Sequence, residues 1–109
     1  MKNAYRFTLS VRLLNEGDYI VAYCPALELS SYGKNERDAR KRFEEALNIF
    51  IEETERKGTL EKELLMLGWT LRLKPKMMAQ PTYPVPSRAV AAKMIKEFPF
   101  QARFPLAMA

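Results

Sequence analysis

The chain has 109 residues, 48% hydrophobic and 28% charged, which fits one globular domain and not a disordered or fibrous protein. It contains no histidine and one cysteine, so a Ser-His-Asp or Cys-His arrangement, an internal disulfide and a structural zinc site are excluded within it. Net charge is +5 and uneven: residues 1–74 carry 13 Lys and Arg against 12 Asp and Glu, whereas residues 75–109 carry 5 against 1.

The first stretch, "MKNAYRFTLSVRLL", lacks the uninterrupted apolar core and small-residue cleavage site of a signal peptide. No apolar run approaches the roughly 18 residues that span a bilayer. A cytoplasmic, membrane-free protein is the expectation. From Tyr5 to Leu14 the residues alternate, with Tyr5, Phe7, Leu9, Val11 and Leu13 on one face and Arg6, Thr8, Ser10 and Arg12 on the other. Period two predicts a half-buried strand. "NEGD" (15–18) is turn chemistry, and "YIVAYC" (19–24) is a second strand, giving an antiparallel hairpin. Pro25 removes a ladder donor and ends that strand. A short third strand fits around Leu27–Tyr32, and Gly33 permits a turn after it.

Asn35 is a suitable helix N-cap, with Glu36 and Asp38 in the first turn. Ala39, Phe43, Ala46, Leu47, Phe50, Ile51 and Thr54 follow at i, i+4, i+7 and i+8 spacing, the stripe of a helix of about five turns. Arg56, Lys57 and Gly58 have the character of its C-terminal end. "TLEKELLMLG" (59–68) predicts a second, short helix, and "WTLRLK" (69–74) a fourth strand with Trp69, Leu71 and Leu73 on one face. "QPTYPVP" (80–86) is irregular or extended. "SRAVAAKMIKEF" (87–98) admits a helix capped by Ser87, or a strand. The expectation is an α+β fold: a small antiparallel sheet packed on one long helix plus a short helix (β-β-β-α-α-β), with a Pro-rich C-terminal tail. The boundary falls at residue 74, with a domain over 1–74 and a basic tail over 75–109.

Three pieces now stand in order: "DYIVAYCPALELSSYGKNERDARKRFEEAL", the apolar pattern of the helix it opens, and "GTLEKELLMLGW". Together they resemble the HicB family of antitoxins, over about Tyr5 to Trp69. The resemblance implies a partial RNase H-like fold without that nuclease's acidic catalytic set. It implies a non-catalytic protein, with no cofactor and no metal, that binds and occludes a HicA-type mRNA-cleaving ribonuclease toxin. Homodimers or higher homo-oligomers are expected. Many family members add a C-terminal helix-turn-helix or ribbon-helix-helix for operator DNA. Neither pattern follows Lys74 here, so sequence-specific DNA binding is not expected. An orphan HicB-like dimeric domain, regulatory or structural and without a toxin, is the alternative.

Individual residues carry little chemistry. Cys24, in an apolar strand, has the setting of a small core residue. Arg40, Lys41 and Arg42 lie among Glu36, Asp38, Glu44 and Glu45, the pattern of a solvated, internally paired helix face. Asp18, Glu28, Asp38 and Glu44 are the acids a degenerate two-metal nuclease would use, but nothing in their spacing requires convergence. Tyr83, Phe98, Phe100 and Phe104 are the candidate partner-binding residues. They are too apolar for a free tail, and little core is left for them to join; packing back on the domain, or a homodimer contact, is the alternative of equal weight.

Overall fold

A computed structural model describes residues 3–73, 76–82 and 85–106. It shows an α+β architecture in the order β1 (Asn3–Glu16), β2 (Tyr19–Cys24), β3 (Leu29–Gly33), α1 (Glu36–Lys57), α2 (Leu60–Met66), β4 (Thr70–Leu73), β5 (Lys76–Ala79), α3 (Arg88–Lys93) and β6 (Met94–Leu106). The main sheet is antiparallel throughout, ordered β3-β2-β1-β6. Its inner face carries Phe7, Leu9, Val11 and Leu13 of β1, Ala22 and Cys24 of β2, and Ala102, Phe104 and Leu106 of β6. These residues join Ala39, Phe43 and Leu47 of α1 in one core. The alternation along β1 therefore does what period two requires. One face enters the core, and Arg6 and Thr8 stay exposed on the other.

The long helix forms where its capping residues place it. The Asn35 side chain accepts from the Asp38 N–H at 2.8 Å, and Gly58 adopts the left-handed conformation at φ 69°. Gly33 plays a part that its place before a turn does not foretell. It is not among the glycines of positive φ. Instead, a Cβ at Gly33 would lie 2.5 Å from the Ala39 backbone nitrogen and 2.7 Å from the Asp38 carbonyl carbon. The missing side chain lets the first turn of α1 press against β3.

Two elements differ from expectation. β4 does not join the main sheet; it pairs with β5 in a separate two-stranded sheet. Trp69 precedes β4 and plugs the end of the core. Its indole N–H donates to the Ala26 carbonyl at 2.8 Å, and its ring meets Phe7 and Phe104 at 5.1 and 5.7 Å between centroids. The second difference concerns the C-terminal third. The division at residue 74 is not a division of the sheet, because β6 pairs with β1 along nearly the whole length of both strands. The segment after Ser87 uses both of its options: one helical turn and a half capped by Ser87, then a strand from Met94.

β6 is an edge strand and contains two prolines. Pro99 stands opposite Ser10 and Pro105 opposite Ala4. Neither has an N–H to give to β1. They lie an even number of residues apart, so both turn their nitrogens toward the open edge, where a proline is tolerated.

Candidate partner-binding groove

Because α1 is drawn onto β3 at Gly33, it lies over the β3–β2 side of the sheet. Beside it, toward β6, a groove of about 680 Å³ stays open. Arg37, Arg40, Lys41 and Glu44 of α1 form one wall. They follow an i, i+3, i+4, i+7 pattern, a stripe rotated away from the buried one. Lys96, Phe98, Pro99 and Phe100 of β6 form the other wall.

The walls are braced against each other. The Arg40 guanidinium sits 3.9 Å from the centroid of the Phe98 ring, a cation–π contact. Phe43 meets Phe100 edge-on, at 5.5 Å and 82°. Lys96 Nζ lies 3.4 Å from Glu36 Oε2. Arg37 and Lys41 have no ion pair among the described residues, so the groove keeps a cationic surplus beside two half-buried aromatic rings. Such a surface can take up a protein segment that supplies apolar contacts and negative charge.

The four expected partner contacts do not stay together. Phe98 and Phe100 both line the groove. Phe104 is fully buried in the core and packs on Phe7 at 5.4 Å. Core does remain for aromatics of this segment: β6 carries Phe104 into it and packs Phe98 and Phe100 against it. Tyr83 lies outside the described residues. The cations of the groove were missed because a mixed-charge helix reads as solvated. Only Arg42 of the Arg40–Arg42 run pairs with an acid of its own helix, Asp38 at 3.5 Å.

The acids considered for metal chemistry sit apart in the chain's architecture: Asp18 in the β1–β2 turn, Glu28 in the turn after β2, Asp38 in the first turn of α1 and Glu44 on the groove wall. Glu28 takes φ 49°, the one non-glycine residue of positive φ among those described. Asp38 is a structural acid. Its carboxylate accepts from the Lys34 backbone N–H at 3.0 Å, and this bond, with Arg42 adding to it, holds the group below the usual carboxylate range. Among the described residues no cluster of acids and cysteine is placed to hold a metal ion, and no helix is long and apolar enough to cross a membrane. Cys24 is buried, and burial pushes its thiol up.

Comparison with known proteins gives no matching family model, no matching characterised protein and no matching solved structure.

Proposed function

We propose that this chain is a HicB-like antitoxin, a non-catalytic protein that binds a HicA-type ribonuclease toxin and covers its active surface. The observation that carries the reading is continuity. The three sequence pieces that resemble the family fall in order on β2–β3, α1 and α2, and end at Trp69, which closes the core. The groove between α1 and β6 then supplies a place for a protein partner, with Phe98 and Phe100 as its apolar contacts. In this reading the protein acts in the cytoplasm and as a homo-oligomer.

The test is co-expression with the neighbouring small open reading frame, with a tag on this chain alone. A stoichiometric small partner that is toxic when expressed by itself is the expected result. Its release by Phe98→Ala would assign the groove. A homo-oligomer with no partner would overturn the antitoxin reading and leave the orphan domain.

A further inference from the structure

The face of the sheet turned away from α1 breaks a rule that the rest of the fold keeps. Arg6 of β1 and Arg103 of β6 stand directly opposite each other in the ladder, and both are exposed. Like charges opposed across a strand pair destabilise a sheet. Neither arginine has an ion pair among the described residues. The next residues along this face are polar and uncharged: Thr8 and Gln101, joined by a 2.9 Å hydrogen bond from the amide to the hydroxyl. The acids further along are already engaged. Glu97 is held by Ser10 and lies 3.9 Å from Arg12, and Glu16 takes Lys93 at 3.3 Å. The two opposed arginines are therefore a positive surplus that the described residues do not neutralise.

The same face has a second unusual end. Tyr19 and Tyr32 are 53% and 63% exposed, with ring centroids 5.4 Å apart, and beside them lie Lys34 and Arg42, the latter paired with Asp38 at the same place. Tyr32 stands across Val21 from Leu14, eight residues along β1 from Arg6. At ~3.3 Å per residue the two ends are about 25–30 Å apart.

We propose that this open face binds single-stranded nucleic acid, with Arg6 and Arg103 on the phosphates and Tyr19 and Tyr32 as a stacking platform. The proposal is independent of the antitoxin reading. A flexible polyanion with exposed base faces satisfies both ends at once, because arginine forks match phosphate and every base can stack on a phenol ring. An acidic peptide would answer the arginines and leave the tyrosines without a purpose. A duplex hides its base faces from a flat sheet.

The test is fluorescence anisotropy of the full chain with labelled oligo(dT) and oligo(U) of about 4 to 16 nucleotides, the range such platforms accept. Binding is expected at 50 mM salt, weaker by about sevenfold at 200 mM if two phosphates are neutralised. Arg6→Gln with Arg103→Gln should weaken it at least tenfold and flatten the salt slope by about 1.4. Tyr19→Ala with Tyr32→Ala should weaken it about tenfold and leave the slope unchanged. Arg40→Gln, in the groove beside Phe98 on the other face, should leave it unchanged. Arg103→Gln alone should melt no lower than the parent, which separates lost binding from lost folding. The proposal is overturned by no binding at 50 mM salt, by equal binding of a duplex, or by loss with the groove variant but not the Arg6/Arg103 variant. Protection of Arg6 and Arg103 by a co-purified protein in place of the oligomer would overturn it too.

Discussion

Gly33→Ala is the sharpest probe of how this fold is held. The added methyl would meet the Ala39 nitrogen at 2.5 Å and the Asp38 carbonyl carbon at 2.7 Å, where ordinary contact begins at 3.4 Å. Both neighbours are backbone in a capped helix, and the third, the Asp38 carboxylate at 2.7 Å, is tied to the Lys34 N–H, so relief by a side-chain swing alone is not open. Helix α1 must retreat by about 0.9 Å, or β3 must bend. Either movement disturbs the layer of Ala39, Phe43 and Ala22 beneath the helix. Overpacking of this kind costs about 1–3 kcal/mol. The retreat also strains the Lys34–Asp38 hydrogen bond, so the upper part of that range is expected, about 2–3 kcal/mol. For a domain of this size that is a fall in Tm of roughly 8–20 °C. Urea unfolding followed by circular dichroism measures it, with an unchanged slope showing that the compactness of the two end states is preserved. A Gly33→Ala protein within about 0.5 kcal/mol of the parent, the range of neutral surface changes, would refute the close-approach argument.

Phe104→Ala should cost about 3–5 kcal/mol, because it empties the space between Phe7 and Trp69; Phe98→Ala, half-buried, should fold with a much smaller loss and show its effect in partner binding. The Cys24 thiol should resist alkylation at neutral pH in the native protein and react once denaturant is added, because burial both shields it and keeps it protonated; rapid native labelling would contradict the packing of β2. The Asp38 carboxylate, lowered from its ordinary value of 3.8, lends stability that is present above that value and lost as pH falls through the lower folded one. Asp38→Ala and the parent should therefore differ in denaturation midpoint at pH 7 and converge in strong acid; a gap that persists there would mean the aspartate acts other than through its charge.

Much of the architecture is legible in the residues. The alternation of Tyr5 to Leu13, the stripe from Ala39 to Thr54, the Asn35 cap and the Gly58 stop all depend on local periodicity and local hydrogen bonding, and these need only neighbours in sequence. Gly33 is different. Its role is set by how near a helix comes, which no local pattern encodes. β6 is an instructive case: Phe98, Phe100, Ala102, Phe104 and Leu106 alternate strictly with Glu97, Pro99, Gln101, Arg103 and Pro105. The period was present, but prolines at two of the five outward positions disguise it as a loop. An edge strand tolerates them there. The candidate groove was half legible. Phe98 and Phe100 stand out as aromatics in a basic segment. Arg37, Arg40 and Lys41 meet them only because α1 tilts toward β3, a fact of tertiary packing.

The prolines of β6 also decide how copies of this chain can meet. An edge without regular donors is a poor template for another strand, and the opposite edge, β3, is only five residues long. Growth of the sheet by strand addition is thus disfavoured at both ends. Assembly through side chains on the two faces is thereby favoured over strand addition to this sheet. Assemblies of that kind respond to salt and to single substitutions, and they come apart again, whereas strand-linked polymers lock. For a protein whose proposed task is to hold a partner, a fold that disfavours irreversible edge pairing keeps its associations adjustable.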